Sequence, residues 1–338
     1  MLKYIFVSCT LLAFYLKGEV MVADPSIFKD GNKYYLVGTE SRDTGLSGDG
    51  HRSDNSVFPL LESDDLRSWR LARTSAGQGR VLNKKDAFAD KMFWAPQLIK
   101  YKGKYYFAYT ADFHWGIAVA DAVYGPYKPY VEFPKQKRQA IDPFILVDED
   151  GRVYAYYSCS NVGGCACVEL SDDLKRFVGE PIRCITNDQA WERLPLEARY
   201  EELNRKYRYG QWERYCCGIG TTEGPSVIKR GGKYVLFYSA NDFRSPDYCV
   251  GAAVADTPKG PWKKIQQGPV LWREQTGLNG TGHGDIFEKD GSLWYVFHAH
   301  NSGIKVSPRR TGIIRLKETF DAEGYPHYEA ESDTMRLL

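Results

Sequence analysis

The sequence predicts an all-β protein built as a single five-bladed β-propeller. Three observations support this prediction: a hairpin pattern occurs five times, a second pattern recurs between the hairpins, and the composition is rich in strand and turn formers. Among the 338 residues, 24 Tyr, 16 Phe and 8 Trp favour half-buried strands, while 32 Gly and 16 Pro mark many turns. The length alone would suggest two domains of about 150 residues each, but the repeats favour one longer all-β unit.

Each hairpin starts with a short apolar strand, turns at Asp, Gly, Lys or Asn, and continues into a second strand rich in aromatic residues. In chain order the five copies begin at Asp24-Pro25, Ala95-Pro96, Asp142-Pro143, Gly224-Pro225 and Gly284-Asp285. A unit of this kind cannot bury both of its faces alone. We therefore expect the five units to stack radially around a common axis.

The stretches between the hairpins supply the third strand of a blade and the loop to a fourth. Residues 62–69 resemble residues 170–177, and residues 118–127 resemble residues 253–262. These similarities predict antiparallel blades of four strands. A β-sandwich is the alternative all-β fold, but it does not predict this regular period.

The longest interval between hairpins runs from Pro143 to Pro225. Within it, residues 189–209 carry charged and apolar side chains at helical spacing. We expect a short helical insertion just before the fourth blade, at one end of the propeller.

We assign residues 21–338 to the propeller and residues 1–20 to a lead-in segment. Lys3 precedes an apolar run over residues 4–16, which has the pattern of a secretory signal and is too short to span a bilayer. The pattern predicts export to the periplasm or the medium. The alternative is a retained, buried first strand in a cytoplasmic protein. No other segment is long and apolar enough to cross a membrane.

The charge balance and the cysteine spacing argue against two classes of partner. Lys and Arg number 45 against 43 Asp and Glu, so the chain lacks the basic excess that is typical of a nucleic-acid-binding protein. The eight cysteines include no paired CxxC motif of the kind that binds zinc. We expect most of them to be small core residues, and the sequence leaves any disulfide pairing open.

In a propeller, the innermost strand of every blade lines the central axis, so residues at one repeat position meet at one mouth of the tunnel. Alignment of the five hairpins places these residues there: Asp24, Trp94-Ala95, Asp142, Glu223-Gly224 and His283-Gly284. The sequence therefore predicts a pocket that contains three carboxylates, an aromatic ring and a histidine.

Clustered carboxylates raise one another's pKa, so that one can stay protonated as a general acid while another stays ionised as a general base. Two carboxyl groups about 6.5–9.5 Å apart suit hydrolysis of a glycosidic bond with inversion, and a separation of about 5 Å suits a covalent intermediate. The sequence leaves that separation open.

Two other uses of these residues remain open at this point. Each Asp can cap its own turn through the backbone. The Asp, Glu and His side chains can also hold Ca²⁺ on the propeller axis, with His283 acting through water.

The motifs at these positions form a set that runs across the five blades in order: Asp24-Pro25-Ser26, Trp94-Ala95-Pro96, Asp142-Pro143-Phe144, Glu223-Gly224-Pro225 and His283-Gly284-Asp285. The set resembles glycoside hydrolase family 43, and the resemblance covers about residues 20–330. It implies an inverting hydrolase of arabinan, xylan or related side chains that requires no cofactor. It also implies that Asp24 is the general base and Glu223 the general acid, and that Asp142 tunes the pKa of the acid and orients it.

The same resemblance implies residues that bind the sugar. An arginine of the last blade is expected against sugar hydroxyls, and of Arg309 and Arg310 we favour Arg310. His283 is expected to face the substrate as well.

Aromatic residues of the second blade are the remaining binding candidates. Trp94 is expected to stack on the C–H face of a sugar, with packing between blades as the alternative. Phe113, together with its neighbours His114 and Trp115, is expected to line the pocket.

The leading functional prediction is an exo-acting, inverting glycosidase that removes terminal α-L-arabinofuranose from plant cell-wall oligosaccharides or polysaccharides. β-Xylosidase and β-galactofuranosidase activities have the same catalytic needs and are the alternatives among enzymes. A non-catalytic carbohydrate-binding propeller is the alternative from a different class. Against it, a binding site does not need an acid, a base and a modulator from three separate blades.

Overall fold

The computed structural model describes residues 19–40, 56–77, 79–135, 139–193, 221–303 and 305–338. Their strands form five small antiparallel sheets arranged as the blades of a β-propeller, which confirms the predicted fold. Helical structure in these residues is limited to single turns: α1 (Arg273–Thr276) and the 3-10 turns Lys84–Asp86, Ala190–Arg193 and Ser332–Thr334.

Each blade uses consecutive strands of the chain, with the first strand innermost. Blade I contains β1 (Val22–Asp30), β2 (Lys33–Glu40), β3 (Ser56–Ser63), β4 (Arg70–Leu71) and β5 (Arg80–Asn83). Blade II contains β6 (Trp94–Tyr101), β7 (Lys104–Ala111), β8 (His114–Ala120) and β9 (Lys128–Glu132). Blade III contains β10 (Ala140–Val147), β11 (Val153–Cys159), β12 (Gly164–Leu170) and β13 (Phe177–Thr186).

Blade IV has three described strands, β14 (Thr222–Arg230), β15 (Lys233–Ala240) and β16 (Cys249–Ala255). Blade V contains β17 (Gly282–Lys289), β18 (Ser292–Ala299), β19 (Arg310–Phe320), β20 (Pro326–Ala330) and β21 (Arg336–Leu337). The prediction of four strands per blade therefore holds for blades II and III, whereas blades I and V each add a short strand that pairs with the third one.

The first strand of every blade is interrupted by a β-bulge at the same repeat position. At each bulge one residue has a left-handed backbone with positive φ: Asp24 (47°), Ala95 (39°), Asp142 (58°), Gly224 (58°) and His283 (37°). Trp94 is the first residue of its strand, whereas Asp24, Asp142, Glu223 and His283 lie one or two residues inside the innermost strands. A bulge re-aims the side chains around it, which is how these residues reach the mouth of the tunnel.

A ring of hydrogen bonds joins the five bulges, and we call it the inter-blade ring. A residue on the second strand of each blade accepts the N–H of the left-handed residue in the next blade. The pairs are Thr39 with Ala95 (2.8 Å), Thr110 with Asp142 (2.9 Å), Ser158 with Gly224 (3.1 Å), Ser239 with His283 (2.7 Å) and His298 with Asp24 (3.1 Å). Because blade V bonds back to blade I, the ring is closed.

The beginning of the described chain also closes the propeller against blade V. Val20 N donates to Leu338 O at 2.6 Å, and Thr311 N donates to Val20 O at 3.0 Å. Val20 and Val22 are buried in the same apolar cluster as Ile313 and Leu338. Backbone hydrogen bonds and apolar burial therefore fasten the first strand to the last blade.

The predicted helical insertion is seen only at its beginning. Ala190–Arg193 form a 3-10 turn, and residues 194–220 lie outside the described residues, as do residues 1–18 with the predicted signal. Glu192 of this turn is fully buried, where Lys264 Nζ and Tyr238 OH each approach Oε1 to 2.6 Å. These bonds hold the base of the insertion against blade IV.

Two further predictions concern the cysteines and membrane-spanning segments. Cys165, Cys167 and Cys249 are buried in the apolar cluster between blades III and IV, as expected of small core residues. No helix within these residues has the length and apolar character needed to cross a membrane.

The inter-blade ring predicts a stability cost at the fully buried Thr110. Thr110→Val keeps the side-chain shape but leaves the Asp142 N–H unpaired, so we expect the free energy of unfolding to fall by about 1–3 kcal/mol. The control is Thr319→Val on the exposed end of β19, for which we expect a change within about 0.5 kcal/mol. Urea unfolding of both variants makes the comparison, and equal changes would show that the ring does not stabilise the fold.

Candidate active site

A pocket of about 270 Å³ opens at the mouth of the propeller axis. Every blade contributes to its lining: Asp24, Trp94, Gln139, Ile141, Asp142, Thr221, Glu223, Asp242, Phe243, His283 and Arg309. The structure thus brings together the five residues that repeat alignment placed at one mouth, three carboxylates with a tryptophan and a histidine.

The environment of Asp24 favours the ionised carboxylate. Its Oδ1 lies 3.1 Å from Nη1 of Arg309 and 3.4 Å from Nδ1 of His283, and its Oδ2 accepts a 2.7 Å hydrogen bond from Thr39 Oγ1. Burial on its own raises the pKa of this carboxyl. The Arg309 charge and then His283 outweigh burial and hold the pKa well below its usual range.

The neighbouring His298 is not a second permanent positive charge beside Asp24. It is fully buried, and burial followed by the Arg309 charge lowers its pKa to about 3. A neutral imidazole at this position leaves Arg309 as the permanent positive charge beside Asp24.

The environment of Glu223 favours the protonated acid. Burial, followed by the nearby Asp142 carboxylate, raises the pKa of Glu223 well above its usual range, and Asp242 and Asp24 raise it further. The phenol of Tyr248 donates a 2.7 Å hydrogen bond to Oε1 of Glu223, which opposes this rise without overcoming it.

The surroundings of Asp142 include both effects that raise its pKa and effects that lower it. Burial raises its pKa, and the Asp24 charge adds to the rise, while His283 and a 2.7 Å hydrogen bond from Ser158 Oγ act against it. Because two like charges in one buried site disfavour each other, the Asp142 carboxylate helps to keep the proton on Glu223.

The backbone explains why the acidic residue of blade IV stands one position earlier than those of blades I and III. Asp24 and Asp142 themselves occupy the left-handed bulge position, whereas in blade IV that position is Gly224. A Cβ at Gly224 would lie 2.7 Å from the His283 ring, so only glycine fits there. The longer glutamate side chain therefore starts from position 223, and it reaches the same pocket.

This arrangement places in one pocket a buried carboxyl group whose surroundings favour the ionised form and a half-buried one whose surroundings favour the protonated form. The first can take a proton from a water molecule, and the second can give one to a leaving group. Such a pair of titratable groups, with pKa values pushed apart by their surroundings, is the requirement for concerted acid and base catalysis.

The structure corrects the arginine expectation. Arg309, and not Arg310, lines the pocket and contacts Asp24. Arg310 points away from it and pairs with Glu19 through two hydrogen bonds of 2.6 and 2.7 Å. Successive residues of an extended chain point to opposite sides, so only one of two adjacent arginines can face the pocket.

The aromatic candidates of blade II lie in different places. Trp94 lines the pocket. Phe113, which is 40% exposed, is not among the lining residues but contacts the Trp94 ring edge-on, with ring centroids 5.5 Å apart. His114 and Trp115 do not line the pocket: His114 lies 2.7 Å from a carboxylate oxygen of Glu132, and Trp115 packs in the core against Phe133. The two side chains point to opposite faces of β8, and both are buried there, His114 against Phe88 and Trp115 against Phe133.

Several site residues were missed by the sequence reasoning. Asp242, Phe243 and Tyr248 come from the loop between β15 and β16 and its end, where the repeats have no common pattern. His298 did have a signal, because it occupies the second-strand position that is Thr or Ser in the other four blades. Alignment of the second strands would have identified it.

A calcium ion on the axis is one of the two alternative uses of these side chains. Below the pocket, a cavity of about 30 Å³ is lined by residues that include Asp24, Asp142, His283 and Asp285. Both Asp285 oxygens are bonded to serine hydroxyls, from Ser26 and from blade IV. The described part of the chain has no group of three or more His, Cys, Asp or Glu side chains placed to hold a metal ion. The side chains therefore do not form a direct ligand set, and a water-mediated ion at His283 stays a prediction.

Comparison with known proteins assigns the chain to a family. The model of Glycosyl hydrolases family 43 matches residues 18–326. The chain belongs to this family. The match confirms the resemblance drawn from the motifs of the five blades, and it makes the protein a glycoside hydrolase by family.

The relatives and the solved structures that match this chain have names that describe different activities. A β-xylosidase from Xylanibacter ruminicola is 25% identical over 341 residues, which cover 90% of this chain and 95% of the relative. An extracellular exo-α-(1→5)-L-arabinofuranosidase from Cellvibrio japonicus is 24% identical over 339 residues, with coverages of 92% and 87%. The crystal structure of an endo-1,4-β-xylanase from Bacteroides thetaiotaomicron matches with a TM-score of 0.73 at 31% identity, with coverages of 92% and 95%.

The contact between Arg309 and Asp24 predicts a difference between the two adjacent arginines. Arg309→Met removes the charge that lowers the pKa of Asp24, so that pKa rises and the acid limb of the kcat/KM profile moves to higher pH. Arg309 also offers charged hydrogen-bond donors inside the pocket, and loss of such a hydrogen bond to the substrate costs about 1.5–3 kcal/mol, so we expect kcat/KM to fall roughly 10- to 100-fold.

The control for this prediction is Arg310→Met, for which we expect activity within about threefold of the parent, because exposed ion pairs contribute little. Circular dichroism checks that both variants fold, and Arg309→Lys, which keeps the charge, is expected to keep the acid limb closer to the parent. Equal losses for Arg309→Met and Arg310→Met would contradict the placement of Arg309 at the site.

Proposed function

We propose that this glycoside hydrolase is an exo-acting, inverting glycosidase that releases terminal α-L-arabinofuranose from plant cell-wall oligosaccharides or polysaccharides. The observation that carries the proposal is that one pocket holds two carboxyl groups with opposite surroundings: Arg309 contacts Asp24 and lowers its pKa, whereas burial and Asp142 raise the pKa of Glu223. The low pKa favours the ionised form that a general base requires, and the raised pKa favours the protonated form that a general acid requires.

The reaction follows from these two states. Asp24 takes a proton from a water molecule while the water oxygen attacks the anomeric carbon. Glu223 gives its proton to the glycosidic oxygen while the bond from that oxygen to the anomeric carbon breaks. One proton is gained and one is lost, and exchange with solvent restores both groups. Attack from the side opposite the leaving group inverts the anomeric centre.

The position of the two groups in the ring supports this single displacement. Asp24 belongs to blade I and Glu223 to blade IV, which are not neighbours, and His283 of blade V lies against both Asp24 and the Gly224 backbone. One blade therefore separates the two carboxyl groups in the ring, which favours the larger spacing that a water molecule between the base and the sugar requires.

The remaining pocket residues support binding of one sugar ring. The volume of about 270 Å³ lies just below the range of about 300–1,000 Å³ that is typical of sites for larger ligands. Trp94 offers an aromatic face to the C–H surface of a sugar, and Arg309 offers hydrogen-bond donors beside Asp24. A small pocket at the end of a tunnel favours removal of a terminal unit.

Two of the relatives support a pentose, in two forms. The exo-arabinofuranosidase from Cellvibrio japonicus is the relative that favours arabinofuranose. The β-xylosidase from Xylanibacter ruminicola favours β-D-xylose as a second candidate at almost the same identity. Galactofuranose carries an additional exocyclic carbon and requires more room.

Polysaccharides of the plant cell wall lie outside the cell, which fits our proposal of export through the segment over residues 1–20.

The test is a substrate panel with product analysis. Aryl α-L-arabinofuranoside, β-D-xyloside and β-D-galactofuranoside are compared with arabinan and arabinoxylan, and proton NMR identifies the first anomer released. We expect the highest kcat/KM on the arabinofuranoside, single sugars as products, and an inverted anomer.

The Glu223→Gln variant is the control, because it keeps the shape of the side chain and removes the proton that it donates. A retained anomer would contradict the single displacement, and a higher kcat/KM on the xyloside would replace arabinose by xylose. Sugar binding without any hydrolysis by the parent protein would favour a carbohydrate-binding propeller instead.

A further inference from the structure

Tyr248 forms a direct contact with Glu223, although no repeat or motif singles it out. It is fully buried just before β16, and its OH donates to Oε1 of Glu223 at 2.7 Å. Its ring lies almost parallel to the ring of His298, at an interplanar angle of 11° and a centroid distance of 5.6 Å. A Cβ at Gly282 would lie 2.5 Å from the Tyr248 ring, so the innermost strand of blade V leaves space for this side chain only because residue 282 is glycine.

The loop that carries Tyr248 is anchored on both sides. Asn241 Nδ2 donates to Asp247 O at 2.8 Å, and Arg273 Nη2 lies 3.1 Å from Oδ1 of the fully buried Asp247. His300 Nε2 lies 2.8 Å from Phe243 O in the same loop. The phenol is therefore held in position by its surroundings as well as by Glu223.

The hydrogen bond distinguishes the two oxygens of the acid. A protonated carboxyl group has one carbonyl oxygen, which is the better acceptor, and one hydroxyl oxygen that carries the proton. Burial raises the pKa of Tyr248 well above its usual range, so the phenol stays protonated and acts as a donor. The oxygen that accepts from Tyr248 is Oε1, which leaves the transferable proton on Oε2.

We propose that Tyr248 is a positioning residue that keeps the acidic proton of Glu223 on Oε2 and stabilises the carboxylate formed when that proton leaves. The inference rests on the proposed role of Glu223 as the general acid. When Glu223 loses its proton, the hydrogen bond from Tyr248 becomes charge-assisted and about twice as strong as a neutral one. Tyr248 therefore favours the transition state over the resting acid, in addition to orienting the side chain.

Ionisable groups from several blades surround Glu223. Their effects on its pKa must be separated from the effect of Tyr248. Those that contribute to its pKa are Asp24 of blade I, Asp142 of blade III, and Asp242 and Tyr248 of blade IV, and His283 and Arg309 of blade V line the same pocket. The three aspartates raise the pKa of Glu223, whereas the hydrogen bond from Tyr248 lowers it. Removal of the phenol oxygen must therefore move this pKa upward.

The test compares Tyr248→Phe with Tyr295→Phe. Tyr295 is buried as deeply, but its OH bonds to the backbone oxygen of Gly284 and not to a carboxyl group. Each variant is assayed on a glycoside with a sugar or alkyl leaving group, which needs acid catalysis, and on a dinitrophenyl glycoside, which does not. For Tyr248→Phe we expect kcat to fall roughly 10- to 100-fold on the first substrate and less than about threefold on the second.

The pH profile gives an independent readout. We expect the alkaline limb of kcat/KM to move to higher pH in Tyr248→Phe and to stay in place in Tyr295→Phe. An unchanged limb, or the same fold-loss on both leaving groups, would overturn the inference. So would equal effects of the two tyrosine variants, because they would indicate a purely structural role.

Glu223→Gln on the same two substrates separates failure of this inference from failure of the proposed function. If Glu223→Gln loses activity only on the poor leaving group while Tyr248→Phe behaves as the parent does, Glu223 remains the acid and the role of Tyr248 is wrong. If Glu223→Gln keeps full activity on the poor leaving group, the acid assignment itself is wrong, and with it the inference about Tyr248.

Discussion

The closed ring of hydrogen bonds between blades is the constraint on which the rest of the structure depends. Five innermost strands bulge at one repeat position, and four of the five left-handed residues there are not glycine. A left-handed backbone costs a non-glycine residue about 1–2 kcal/mol, so each bulge persists only where its surroundings hold it. The side chains on the second strands, from Thr39 to His298, hold the bulges in place because they accept hydrogen bonds from backbone N–H groups of the next blade.

The same ring sets the chemistry of the pocket. Thr39 Oγ1 accepts from Ala95 N and donates to Asp24, and Ser158 Oγ accepts from Gly224 N and donates to Asp142. One hydroxyl thus fixes both the backbone of the next blade and a carboxylate of its own blade. Catalytic geometry and the joining of blades are in this way parts of one hydrogen-bond network.

A fivefold ring becomes a catalytic site because its members differ in charge. Arg309 lies against Asp24 and lowers the pKa of that carboxyl, while the surroundings of Glu223 include Asp142 and the neutral phenol of Tyr248. Asp24 lies beside a positive charge, whereas Glu223 lies beside other acidic groups. Their pKa values separate for that reason, and the separation is the basis of the proposed roles.

The blade order and the three carboxylates were predictable from the sequence, because repeats reveal which strands line an axis. The bulges were not, since a left-handed residue at Asp24 or Asp142 has no signature in single-sequence propensity. The choice between Arg309 and Arg310 depends on the face of the chain at the start of β19, which adjacent identical residues cannot indicate. Tyr248 lies beyond the repeated pattern, and only tertiary packing shows that it meets Glu223.

The most direct test of this account is a carbon-13 NMR titration of the side-chain carboxyl groups, with Glu223→Gln and Asp24→Asn used to assign the signals. We predict that Glu223 stays protonated at pH values at which exposed glutamates are fully ionised. We also predict that Asp24 stays ionised at pH values at which exposed aspartates are protonated. Titration of both groups near their ordinary values, or in the reverse order, would contradict the opposite protonation states on which the proposed acid and base roles rest.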